Sequence, residues 1–181
     1  MDQVAHAIEV SFDPAADTVV RATLHALDDA GIPSLNQIGD SFRPHLSLSV
    51  FTGGRSEAVA EAVTTALIDH PLATVRLSHV GAFLAPRRVL FCGITPTLEL
   101  MACHEAVDAA IRAGGGTPWP IYSPTTWVPH CTLAMDLVGD LGQLSVLGSL
   151  GLPLDAGVRQ IRLVEVPTGA EVADVTPQVQ T

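Results

Sequence analysis

Arg43-Pro44-His45-Leu46-Ser47-Leu48 and Val128-Pro129-His130-Cys131-Thr132-Leu133 are two versions of one phrase, Pro-His-x-(Ser/Thr)-Leu. In a chain of 181 residues one copy falls in each half. On an extended strand, residues two apart point the same way. His45 and Ser47 therefore share a face opposite Leu46 and Leu48, and His130 and Thr132 share a face opposite Cys131 and Leu133. Each copy offers an imidazole and a hydroxyl on one side and packs apolar groups on the other. Two such strands facing across a cleft present two imidazoles and two hydroxyls to one small ligand. That set suits phosphate-ester chemistry: one imidazole takes a proton, the other gives one, and the hydroxyls hold phosphoryl oxygens.

Working outward, the same order of elements surrounds each motif. Val4 to Phe12 reads as a strand. Asp13-Pro14 caps a helix whose apolar face is Val19, Val20, Leu24 and Leu27, with Gly31 as its stop. The segment 32–42 reads as loop, and the first motif strand spans 43–51. Gly53-Gly54 breaks it. Ser56 then caps a helix to His70, with Val59, Val63 and Leu67 on one face. Runs 74–84 and 87–95, joined by Ala85-Pro86, form a hairpin. Thr95-Pro96 opens a helix to about Ala113, stopped by Gly114-Gly115-Gly116. The stretch 117–129 holds four prolines, both tryptophans and the single tyrosine, and proline density argues against helix or central strand. The second motif strand spans 130–138. Asp140 caps a short helix carrying Leu141, Leu144, Leu147 and Leu150, and 157–167 is a last strand.

Both motifs thus lie on the second strand of a repeated strand-helix-strand-helix-strand unit, which implies an internal duplication. The expected fold is α+β: a bilobal duplicated architecture of two antiparallel-rich sheets, helices outside, and a central cleft between lobes related by a pseudo-twofold axis. One domain covers 1–167, and 168–181, small and polar, is expected to be a flexible tail.

Composition narrows the function. With 48% apolar residues the chain builds a substantial core, yet no run approaches the roughly 18 apolar residues of a membrane span. Asp2 and the absence of a basic-then-apolar leader point to the cytoplasm. A net charge of −10 argues against an extended nucleic-acid-binding surface. All nine basic residues are arginine, the better bidentate phosphate ligand. The three cysteines, Cys92, Cys103 and Cys131, are spaced for neither a disulfide framework nor a zinc knuckle and read as buried, inert thiols. No HExxH or CxxC spacing is present, so no metal or other cofactor is expected.

With both motifs placed, the chain resembles the 2H phosphoesterase superfamily, which includes 2′-5′ RNA ligase-like proteins and cyclic phosphodiesterases. The resemblance rests on His45-Leu46-Ser47-Leu48 and His130-Cys131-Thr132-Leu133, on the preceding Pro44 and Pro129, and on the element order across about 4–167. It implies a metal-independent enzyme that opens a 2′,3′-cyclic phosphate, or the 1″,2″-cyclic phosphate of ADP-ribose, by two-histidine acid–base catalysis. It implies His45 and His130 as catalytic residues and Ser47 and Thr132 as phosphate-binding residues. The partner is then a small nucleotide or an RNA terminus bearing a cyclic phosphate, bound by a monomer. RNA-end ligation, or nucleotide binding without catalysis on the same scaffold, is the alternative. Many ligase-like members carry a basic residue soon after the second motif; here Ala134-Met135-Asp136 follows.

Other residues are candidates by position. Trp119, Tyr122 and Trp127, just before the second motif, can stack on a base. Arg43 and the Arg87-Arg88 pair can meet phosphate or sugar. His25, His70 and His104 fall in helices and are read as lacking a ligand-like partner at i+4, hence as surface residues, whereas His6 and His79 lie on strands from which they can reach the cleft.

Overall fold

The computed structural model describes residues 4–38, 42–137, 147–148 and 150–177. Strand β1 (Ala5–Phe12) leads into α1 (Pro14–Asp29). Asp13 caps α1 by accepting from Ala15 N and Ala16 N and reaches across the chain to accept from Gly157 N at 2.6 Å. Those backbone N–H groups hold its carboxyl below the ordinary range. Ala16, Val20, Leu24 and Leu27 are the buried stripe of α1. After a 3₁₀ turn (Leu35–Ile38) comes β2 (His45–Gly53), then α2 (Ser56–Asp69), which buries Val59, Val63 and Leu67. Ser56 is the first helical residue rather than the cap, which falls on Arg55 and makes no side-chain capping bond. Strands β3 (Thr74–Phe83) and β4 (Val89–Ile94) form the expected hairpin. Thr97, two residues beyond the expected cap, closes the start of α3 (Leu98–Ala113) by accepting from Leu100 N.

The proline-rich stretch yields a three-residue strand β5 (Gly116–Pro118) and a 3₁₀ turn (Pro120–Tyr122) before β6 (His130–Met135). Proline is tolerated in β5 because it is an edge strand. The short helix expected from Asp140 lies mostly outside the described residues, although Leu147 and Leu150 are buried. Strands β7 (Leu154–Val166) and β8 (Glu171–Asp174) complete the chain.

Among the described residues all pairings are antiparallel, in the order β5-β2-β1-β7-β3-β4-β6 with β8 also on β7. The 13 residues of β7 make it the spine: its first part pairs with β3 and the remainder with β1. On each side the motif strand lies outside its neighbour, β2 beyond β1 and β6 beyond β4. The lobes are not, however, the two halves of the chain. A five-residue link, 84–88, forces β3 and β4 into antiparallel neighbours. That removes β3 from the first half's sheet, and β7 takes the place beside β1.

The core follows the strand alternation: Leu46 and Leu48 on β2, and Cys131 and Leu133 on β6, are fully buried, while His45, Ser47, His130 and Thr132 are half-buried on the other face. Helix α2 packs on α3, and α3 on β2 and β5. All three cysteines are free and buried, and burial pushes the Cys92 and Cys103 thiols up to about 12. Among the described residues no helix is long and apolar enough to cross a membrane.

The expectation of a flexible tail from 168 needs correction. Glu171–Asp174 pair with β7, Val175 is fully buried, and Thr176 Oγ1 accepts from Ile161 N at 2.8 Å. Without β8, this edge of β7 has unpaired N–H and C=O groups, and a polar segment satisfies them as well as an apolar one. Residues 178–181 lie outside the described residues.

Candidate active site

The proline before each motif histidine has a geometric task. Proline fixes its own φ and holds the residue before it extended, which aims that residue's carbonyl at the imidazole two positions on. His45 Nδ1–H donates to Arg43 O at 2.7 Å, and His130 Nδ1–H donates to Val128 O at 2.7 Å. A carbonyl only accepts, so the hydrogen sits on Nδ1 in both rings and Nε2 is left for chemistry. The two motif strands approach one another without pairing. The Cys131 thiol faces the His45 backbone N–H, and Trp127 Nε1–H donates to Ser47 O at 3.2 Å. The rings are close enough that charge on His45 disfavours charge on His130.

The two histidines differ in surroundings. His45 Nε2 lies 3.4 Å from Glu9 Oε1, with Phe42 edge-on at 5.9 Å. Glu9 pairs in register with Ser47 on one side and Arg162 on the other. Arg162, 5% exposed, reaches Glu9 Oε2 at 3.3 Å and Glu171 at 3.6 Å. His130 instead packs against Phe83 and Phe91, each ring centroid 5.2 Å away. Gly81 is required for this layer, because a Cβ there would sit 2.5 Å from the Phe91 ring. Burial is the main cause that pushes the His130 pKa below its ordinary value; His45 adds to it and the bond to Val128 opposes it.

A cleft of about 410 Å³ opens beside these groups, with Glu9, His45, Ser47 and Thr132 among its lining residues. His130 is not part of that lining; it stands against the aromatic layer. Of the other candidates, Arg43 lines the cleft and its Nη1–H donates to Gln160 at 3.5 Å. Trp119, 40% exposed, and Tyr122 also line it. The Tyr122 hydroxyl faces Ser47, and burial raises its pKa. Arg87 lines the cleft as well, held by the Asp136 carboxylate that follows the second motif.

Trp127 is a correction. It is 7% exposed and stacked on His104 at 3.8 Å with planes 5° apart, so it supports the motif strand and does not line the cleft. His104, expected at the surface, is fully buried. Its position in α3 is an inner one, and an imidazole stacked on indole packs as an apolar group. His6 stacks on Phe51 and His79 covers Gly93; neither lines the cleft. Glu9 and Arg162 escaped the sequence reading because they belong to no motif. Their local signal is a charge set directly between two apolar residues, Ile8-Glu9-Val10 and Ile161-Arg162-Leu163. Among the described residues no group of three or more His, Cys, Asp or Glu side chains is placed to hold a metal ion.

The buried histidine makes stability depend on pH. Burial holds the His104 pKa below its ordinary 6.5, outweighing the nearby Asp108 and Glu105 carboxylates and the Tyr122 and Leu48 backbone. The unfolded chain therefore binds this proton first on acidification. The stability contributed is full above about pH 6.5 and is lost as pH falls through the folded value. The melting midpoint is expected to drop between pH 7.5 and pH 5, and His104→Phe, which keeps a stacking ring, to flatten that slope. His130 contributes in the same sense. A wild-type midpoint that rises on acidification over this range would contradict the argument.

A family model described as the 2'-5' RNA ligase superfamily matches residues 13–165. Among solved structures, the PDE domain of MHV ns2 has a TM-score of 0.54 at 16% identity, covering 91% of this chain and 99% of its own. E. coli LigT in its apo form has a TM-score of 0.52 at 16% identity, covering 91% and 88%. Kluyveromyces marxianus Usb1 has a TM-score of 0.56 at 11% identity, covering 95% and 97%. At such identities the likeness is one of fold. A comparison with curated proteins gives no match. With the family match running from the first helix to the last long strand, the chain belongs to the 2'-5' RNA ligase superfamily.

Proposed function

We propose that the protein is a metal-independent phosphodiesterase that opens a 2′,3′-cyclic phosphate, or the 1″,2″-cyclic phosphate of ADP-ribose, on a small nucleotide or RNA terminus. The observation that carries this is the matched tautomer: two motif histidines, each with Nδ1–H fixed to the carbonyl two residues back, on strands that lie near one another. His130, whose pKa burial depresses, is the general base that takes a proton from water. His45, which has Glu9 as an ion-pair partner when it carries a proton, is the general acid that protonates the departing sugar oxygen. Ser47 and Thr132 donate to the non-bridging oxygens as charge builds there. Trp119 and Tyr122 offer faces to a base, and Arg43 meets the sugar or a second phosphate.

The test is a panel of 2′,3′-cyclic nucleotides, ADP-ribose cyclic phosphate and short cyclic-ended RNA, followed by phosphorus NMR, which separates the isomeric products. Turnover of at least one small cyclic phosphate, undiminished by chelator, is expected. Activity lost on chelation and restored by a divalent ion would sink the metal-independent reading.

RNA-end ligation remains a second reading, favoured by the description of the matching family. Steep salt dependence of binding would support it, since that is the signature of backbone contacts. The net charge of −10 and Asp136 on Arg87 favour the small-ligand reading.

A further inference from the structure

A phosphate-binding cleft ordinarily offers uncompensated positive charge, and this one offers little. Its arginines are Arg43, Arg87 and Arg162. Arg87 is held by Asp136, and Arg162 is divided between Glu9 and Glu171. Glu165 adds another carboxylate to the lining. Among the described residues, Arg43 is the cleft arginine that meets an amide, Gln160, rather than a carboxylate. Glu9 is the notable group, because its Oε1 stands 3.4 Å from His45 Nε2, the nitrogen at which an oxygen of the substrate must arrive. Arg162 holds it there through Oε2 at 3.3 Å.

Resting on the cyclic-phosphodiesterase reading above, we propose that Glu9 is a specificity-determining residue that filters ligands by charge: it tolerates the single negative charge of a phosphodiester and disfavours the double charge of a phosphomonoester. Ring opening converts one into the other. The water oxygen forms the new bond to phosphorus and the bond from phosphorus to one sugar oxygen breaks. One water proton goes to His130, and His45 gives its proton to that sugar oxygen. The product carries a charge of about −1.5 to −2 at pH 7. Coulomb repulsion grows in proportion to ligand charge, so a fixed carboxylate beside the reacting phosphorus opposes product more than substrate. The filter hastens product departure and keeps ordinary nucleoside monophosphates out of the cleft.

The test compares a nucleoside 2′-phosphate with its methyl ester at pH 8. The two share a shape, but the ester keeps one charge. Binding to the wild-type protein, Glu9→Gln and Glu9→Asp is measured by titration calorimetry, alongside turnover of the parent 2′,3′-cyclic nucleotide. Wild type is expected to bind the methyl ester more tightly than the monoester. In Glu9→Gln the monoester Kd should fall on the order of tenfold and the ester Kd by only about threefold. Glu9→Asp keeps the charge and should keep the wild-type ratio. Equal tightening of both ligands, no change in either, or a wild-type preference for the monoester overturns the proposal. If Glu9→Gln does not fold, the wild-type ratio decides alone. A wild-type protein that turns over the cyclic nucleotide without the expected ratio refutes the filter only. One that turns over no cyclic phosphate refutes the functional reading, and one that binds neither ester refutes both.

Discussion

His130→Ala and His45→Ala proteins are each expected to lose at least ~10²-fold in kcat on a cyclic phosphate, the lower end of what one positioned proton transfer contributes. The loss should occur without global unfolding, since each ring is half-buried and its one backbone bond goes to a carbonyl beside its own strand. The two variants should also differ from one another. Removal of the base His130 abolishes the acidic limb of the pH–rate profile, and removal of the acid His45 abolishes the alkaline limb. Steady-state kinetics across pH 5–9, with a melting curve for each protein, checks both. Near-full activity in either variant would remove the two-histidine mechanism, and reversed limbs would exchange the roles.

Trp127→Ala is expected to be the most destabilising of these substitutions, costing about 3–5 kcal/mol, the usual range for truncating a large buried aromatic. Three losses coincide. The indole vacates a buried site, His104 loses the ring it stacks on, and Ser47 O loses the Nε1–H donor. Trp127→Phe keeps a ring over His104 and forfeits the hydrogen bond, which should cost about 1–3 kcal/mol for the unsatisfied carbonyl. Chemical denaturation measures both. The donor holds the backbone of the first motif, so kcat of the phenylalanine variant should also fall modestly. Stability of Trp127→Ala within about 1 kcal/mol of wild type would show that the site collapses freely and that this clamp does not matter.

The fate of Trp127 shows where sequence reading ends. Three aromatics precede the second motif, and nothing in local pattern separates Trp119 and Tyr122, on the cleft, from Trp127, beneath it. The separation depends on α3, which brings His104 under the motif strand. For the same reason His104 is buried against expectation: a helical histidine looks solvent-facing until the packing partner of its helix is known.

The sequence by itself determined what is local. The period-two alternation of each motif set which face is buried, because a strand has only two faces. Asp13-Pro14 set the start of α1, since a cap and a preset φ act within one turn. The two motifs and the similar element order around them pointed to the α+β fold, although β5 makes the second motif strand the third of its half. Only the tertiary structure decided what depends on neighbours distant in sequence. It drew β3 into the second half's sheet and gave its place to β7. It ordered a polar tail as β8, because strand pairing satisfies backbone groups whatever the side chains are. It also set Glu9 and Arg162, from opposite ends of the chain, side by side next to His45. Register across long-range strands carries no periodic signature in either strand alone, so their meeting is visible only once the sheet is assembled.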